Sequence, residues 1–243
     1  MQFPPALKHG SLDEVFPDVF FVRGSMKMNG LVAFSRAMTV IREDDQLVVI
    51  NAMRLDDAGL DLLDGLGTVT DVLSIAGFHG RDDAFYRNRY GAKVWDLEGH
   101  VYAKGFNANP SPADAYFEAD EKLSAGSPLP LADARLHVFD TKTPEAIVVL
   151  ERHGGVLVTG DSLQNWATAD EYFSWMGKAM MKMMGFIKPH NVGPGWLKAA
   201  QPTAAQMRAV LDIEFDHVLP AHGTAVIGDA KEKFRPAIES VGG

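Results

Sequence analysis

The chain has 243 residues, 47% hydrophobic and 23% charged, with a formal net charge of −9 and no cysteine. This is globular composition, long enough for one large domain or two small ones. It excludes disulfides, thiolate metal ligands, a cysteine nucleophile and, lacking any run of 18 apolar residues, a membrane span. The acidic balance argues against a nucleic-acid partner, whose phosphates need clustered Lys and Arg; the N-terminus "MQFPPALKHGSLDEVFPDVFFV" lacks the basic region and apolar core of a signal peptide, so a cytoplasmic location is expected.

Along the chain, "VFFVRG" (19–24), "VAFSRAMTVIRE" (32–43) and "QLVVINA" (46–52) carry the β-branched and aromatic residues of strands, with a turn at Asp44-Asp45. "DDAGLDLLDGLG" (56–67) sets Leu60, Leu63 and Leu66 at helical spacing before a glycine stop. A buried strand at 68–77, a short helix at 81–91 and a strand at 92–96 follow. "NANPSPAD" (107–114) and "SAGSPLPLAD" (124–133) are rich in turn formers and divide the chain roughly in half. The second half repeats the plan: strands at 134–140, 145–161 and 215–221, the middle one a hairpin turning at His153-Gly154-Gly155, and helices near 170–186, 202–213 and 229–240. Two halves of this kind, meeting near 125–133, predict one domain over 1–243 of the α+β class: a four-layer αββα sandwich, two sheets face to face with helices outside. The early and central hairpins argue against a doubly wound parallel sheet.

Three strand ends deliver polar groups where a buried strand has just finished. "SIAGFHGRDDAFY" supplies His79, Arg81, Asp82 and Asp83; "VLVTGDSLQNW" supplies Asp161 and Ser162; "VLPAHG" supplies His222. Loops on strand ends hold chemistry on a rigid scaffold, and histidine gathered with carboxylate is the donor set of a borderline divalent cation.

"LVTGDSL", "LPAHG" and the glycine-histidine loop at 77–79 resemble the metallo-β-lactamase superfamily in order and spacing, over nearly the whole chain. The family's fold is the same αββα sandwich. Its signature loop, H-x-H-x-D-H, corresponds to "GFHGRD": Gly77 stands at the first histidine, His79 at the second, Arg81 at the aspartate and Asp82 at the last histidine. "TKTPEA" (141–146) puts Lys142 at a further family histidine, and "INAM" (50–53) replaces an "IDTG"-like turn. Asp161 falls on the bridging aspartate and His222 on the final histidine.

The resemblance implies a site that keeps His79, Asp82, Asp161 and His222 as ligand-capable groups. Two ions need about six or seven protein ligands, so at most one divalent ion, zinc or iron, is expected, or none. The expected activity is hydrolysis of an ester, lactone, thioester or amide-type bond in a small-molecule substrate, with Asp161 at the centre. Arg81 or Lys142 steadies the oxyanion, pairs with Asp82 or Asp161, or receives an anionic substrate group. The alternative is a metal-free ligand-binding protein on the same fold. Asp83 reads as a helix cap, and His100 and His190 as surface histidines. "GDSL" (160–163) is also the opening motif of a serine esterase family, but the expected Asp-x-x-His is missing near the C-terminus. Met176, Met180 and Met184 read as one helix face, either packed on the core or forming an apolar lid that suits a hydrophobic substrate.

Overall fold

The computed structural model describes residues 3–28, 30–105 and 110–242. The first sheet has seven strands in chain order: β1 (Asp13–Phe16), β2 (Val19–Lys27), β3 (Ala33–Glu43), β4 (Gln46–Ile50), β5 (Thr68–Ser74), β6 (Lys93–Leu97) and β7 (Glu121–Leu123). Its first four strands form an antiparallel meander; β4 to β7 run parallel. Helices α1 (Asp57–Leu66) and α2 (Asp83–Tyr90) make the crossovers that parallel strands require. The second sheet draws on β8 (Ala134–Phe139), β9 (Glu145–Leu150), β10 (Val156–Thr159) and β13 (His217–Pro220), in the order β13-β10-β9-β8. A separate ribbon pairs β11 (Leu163–Gln164) with β12 (Asn191–Val192). Four further helices are α3 (Trp175–Met183), α4 (Pro194–Ala200), α5 (Ala204–Ala209) and α6 (Ala230–Glu239).

The period-2 alternation of the strands builds the layers. In β4, Val48 and Ile50 point between the sheets, against Ala146 and Val148 of β9, Val158 of β10 and Leu219 of β13. Leu47 and Val49 point the other way, onto Leu60 and Leu63 of α1 and Phe85 and Tyr86 of α2. On the far face, Ile147, Val149, Leu157 and Val218 meet Trp196, Met207, Phe234 and Ile238 of the remaining helices. Helix, sheet, sheet and helix are thus the four layers of an αββα sandwich, the architecture expected from the sequence.

The differences lie in short elements. Strands β1, β7, β11 and β12 and helix α4 are too brief to show a period. The helix expected at 170–186 starts at Trp175, where the Ser174 side chain accepts from Gly177 N. The buried face of α3 also differs from the expected stripe. It centres on Gly177 and Met181, because Gly177 lies against the Ala33 carbonyl, while Met184 is 52% exposed. Among the described residues no helix is long and apolar enough to cross a membrane.

Candidate metal centre

The sheets are stitched together at one end, where the strand ends meet. Ala146 N donates to Ile75 O at 2.9 Å, joining the end of β5 to β9, and Ala37 N donates to Ala221 O at 2.7 Å, joining β3 to the end of β13. Beyond these bonds stand His79, Asp161 and His222. His222 is followed by Gly223 at φ 102°, where a Cβ would lie 2.0 Å from the Asn165 carbonyl oxygen. The glycine lets the chain turn sharply under β11 and holds the imidazole at the mouth of the sandwich. Asp161 is positioned similarly: a Cβ on the preceding Gly160 would meet Ala76 Cβ at 2.5 Å and Glu145 Oε1 at 2.8 Å.

His79 Nε2 and His222 Nε2 are 3.3 Å apart, and each faces Asp161: His222 to Oδ1 at 3.1 Å, His79 to Oδ2 at 3.4 Å. Among the described residues this is the group of three whose ligand atoms lie within 4.8 Å of one another. Donors at about 2.0–2.2 Å from a tetrahedral ion stand roughly 3.3–3.6 Å apart, close to the separations found.

The hydrogen bonds behind the three residues decide what these atoms present. Asn51 Nδ2 donates to Thr159 O at 3.1 Å, which turns Asn51 Oδ1 toward His79 Nδ1 at 3.0 Å. An amide oxygen only accepts, so Nδ1 carries the proton and Nε2 of a neutral imidazole carries a lone pair. Burial holds the His79 imidazole down at about 4, despite the neighbouring Asp161 carboxylate, so it is neutral near pH 7. His222 Nδ1 faces the Ser35 carbonyl at 3.2 Å, which assigns its proton to Nδ1 in the same way. Two imidazole lone pairs and a carboxylate therefore converge, and Asp161 Oδ2 is buried without a hydrogen-bond partner among the described residues. Gln164 Nε2 donates to Asp161 Oδ1 at 3.4 Å, but the remaining acceptors face one another and repel, and a divalent cation relieves that repulsion. The residues present fit one ion.

The fourth expected ligand does not join them. The Asp82 carboxylate is held by the guanidinium of Arg36 and by Arg54 N at 3.2 Å, buried under the start of α2. Both donors serve Oδ2, so its ion pair is with Arg36 rather than Arg81, and Asp82 stands outside the group formed by His79, Asp161 and His222. Arg81, by contrast, forms no salt bridge among the described residues, and its Nη1 contacts Met26 Sδ at 3.7 Å. Lys142 reaches Gln201 Oε1 at 2.5 Å, with its backbone N bonded to Ala200 O. Gly77, at the first family histidine, is packed so closely that a Cβ would meet Thr143 Cγ2 at 2.8 Å. Ser162 is fully buried with its N–H on Glu145 Oε1 at 2.7 Å, no position for a nucleophile.

Two expectations in the flanking loops are corrected. Asp83 is not a cap: it is buried, accepts from Tyr102 OH at 2.7 Å, and burial pushes its carboxyl up to about 7. His100 is buried rather than on the surface, its Nδ1 2.5 Å from Asp96 Oδ1, with Lys122 Nζ on the other oxygen at 3.1 Å.

Four supporting residues were missed. Glu145 is fully buried, and burial followed by the nearby Asp161 charge raises its pKa well above the carboxylate range; it braces the 160–162 turn through Ser162 N. Its signal was an acid at the head of an all-apolar strand. Arg36 carried the same kind of signal, a charge amid the apolar run of β3. Asn51 stood in the turn that departs from the family, and its positive φ of 57° suits asparagine. The contribution of Ser35 is a carbonyl, which no sequence displays.

The centre opens into a cavity of about 660 Å³, lined by Met26, Phe34, Trp166, Met181, Met184 and Phe186 on its apolar side, and reached by Arg81 and Lys142.

No protein-family model and no curated protein matches the sequence. Solved structures do match over almost its full length. DIM-1 metallo-beta-lactamase aligns at TM-score 0.65 and 12% identity, covering 97% of this chain and 98% of its own. VMB-1 aligns at TM-score 0.63 and 12% identity, covering 98% and 99%. A metallo beta lactamase from Erythrobacter litoralis aligns at TM-score 0.59 and 10% identity, covering 93% and 91%. The chain has the metallo-β-lactamase fold.

Proposed function

We propose that the protein is a metal-dependent hydrolase that works with one divalent ion, zinc or iron, held by His79, Asp161 and His222. Its substrate is a small molecule with an ester, lactone, thioester or amide-type carbonyl. The observation that carries this reading is the convergence of two tautomer-fixed imidazoles on a buried carboxylate whose Oδ2 has no partner. A divalent ion bound there supplies Lewis acidity and makes water a better nucleophile near neutral pH.

The chain's own groups do the rest. Asp161 would hold the ion through one carboxylate oxygen, and its other oxygen accepts the proton of the attacking water as the water oxygen bonds the carbonyl carbon. The same proton passes to the leaving oxygen, sulfur or nitrogen when its bond to carbon breaks. Lys142, in the cavity wall, steadies the negative charge on the carbonyl oxygen. Asn51 and the Ser35 carbonyl hold the two imidazoles in the ligating tautomer. The apolar wall excludes water from the bound substrate.

A second reading, a metal-free ligand-binding protein on the same fold, draws on the glycine and lysine at family histidine positions and on the Arg36–Asp82 pair. Elemental analysis of tag-free protein separates the two. About one zinc or iron per chain, lost in Asp161→Asn and His222→Ala, is expected. No metal after incubation with either ion would overturn the hydrolase reading in favour of the second.

A further inference from the structure

The protein carries a net charge of −9, yet the cavity has the opposite sign. Arg36, Arg81, Lys142 and Lys198 line it, and Asp161 is the one carboxylate among its lining residues. The charge of Arg36 is taken up by Asp82, and Lys142 is exposed and already bonded to Gln201. Arg81 is different. It is partly buried, it has no carboxylate partner among the described residues, and the group it touches is the Met26 thioether. Asp82 acts on it from a distance but is bonded by Arg36, and withdrawing a cation from water without a direct ion pair is costly; a guanidinium presents a planar fork of donors matched to a carboxylate. Around it the wall is methionine, phenylalanine and tryptophan, adaptable surface for an apolar body.

We infer that this cavity takes an anionic amphipath: a substrate whose apolar acyl or aryl body lies on the Met26–Phe34–Trp166–Phe186 wall and whose carboxylate is received by Arg81. This names the substrate class of the proposed hydrolytic site and rests on that reading for the ligand's fate, though not for its binding. Lys142 and Lys198 add a favourable field at the rim. The preference is for one negative charge on an apolar chain, and a neutral or cationic analogue of the same length loses it.

The test is a titration followed by fluorescence of Trp166 and Trp196, both of which line the cavity. Decanoate, decanol and decyltrimethylammonium are compared on protein as purified and after dialysis against a chelator. Decanoate binds about tenfold or more tighter than decanol in both preparations, and the cation binds weakest. Arg81→Met removes that preference while leaving decanol binding within about twofold, which also reports that the variant is folded. Arg81→Lys, which keeps the charge and loses the fork, falls between; it carries the test if Arg81→Met does not bind decanol at all. Equal affinity for decanoate and decanol, or a preference that survives Arg81→Met, overturns the inference. So does a preference that disappears with the chelator, since the carboxylate was then on a metal. Metal content on the same samples keeps the two proposals apart. Decanoate preference without metal sinks the hydrolase reading alone; metal without preference sinks this inference alone.

Discussion

Replacing Asp83 with Asn relieves a loss of stability that grows in the parent protein as pH rises from 5 toward 8. Asp83 is buried beside Asp96 and Asp82; Tyr102 OH serves its Oδ2, and Oδ1 has no partner among the described residues. Burial, joined by the two neighbouring carboxylates, raises its carboxyl from the ordinary 3.8 to about 7 against the opposing Tyr102 hydrogen bond. Between those values the folded protein keeps a proton that the unfolded chain has released. Stability from this group is therefore complete below 3.8 and declines as pH rises to 7. At 1.36 kcal/mol per pH unit the whole loss is about 4 kcal/mol, of which roughly 3 falls between pH 5 and 8. Asparagine cannot ionise, and its amide oxygen still accepts from Tyr102. Any cost of its buried NH₂ is constant with pH and drops out of the comparison. Urea unfolding of both proteins at pH 5, 6, 7 and 8, with chelator present, gives the difference directly. The variant should gain on the parent steadily from pH 5 to 7 and level off above. A difference that stays flat across this range would mean that Asp83 ionises like an exposed acid, and the protonated reading fails.

Two further outcomes concern the centre itself. Asn51→Gly keeps the backbone conformation at φ 57° but frees His79 Nδ1. Metal affinity, measured against a chromogenic chelator, should fall about 10–100-fold. Unchanged affinity would show that the tautomer is not set by this bond. Arg36→Met should cost about 3–5 kcal/mol because it strands the buried Asp82 carboxylate, and adding Asp82→Asn should restore much of it with metal content intact. Metal lost from Asp82→Asn alone would return Asp82 to the ligand set.

How much of this was readable from the residues depends on the kind of information each feature needs. The sandwich was legible because its strands are long enough to alternate, and each hairpin or helix crossover fixes the order of the strands it joins. Helix α4 spans seven residues and β11 two, too few to carry a period, and they are held by contacts the sequence does not display. At the site, His79, Asp161 and His222 stood out because each follows a buried strand, and the family resemblance in their order supplied the reading as ligands. Asp82 could not be assigned from its position alone. A carboxylate on that loop suits a metal or an arginine equally, and the arginine that takes it comes from β3, 46 residues away. The misplacement of Asp83 and His100 has the same origin. Polar residues are expected on the surface until a partner such as Tyr102 or Asp96 is known.

The departures from the family motif form one coherent set when they are taken together. On the resemblance to the metallo-β-lactamase superfamily, a second cation would draw on positions 77, 81, 82 and 142. Gly77 has its space filled by Thr143 and Pro144, Asp82 is neutralised by Arg36, and the other two positions carry positive charge already. Adding an ion beside two fixed cations is unfavourable, more so in a partly buried cavity where screening is weak. The same charges leave the cavity positive even though the protein is acidic. The charges that disfavour a second ion and those on which the proposed anion-binding wall relies are thus the same, carried at positions 81 and 142. A chain that had merely decayed would have no reason to keep two imidazoles pinned by Asn51 and Ser35 around a buried carboxylate. Under the proposed function, the pinned centre and the cationic wall together favour a working site for an anionic substrate over a lost one.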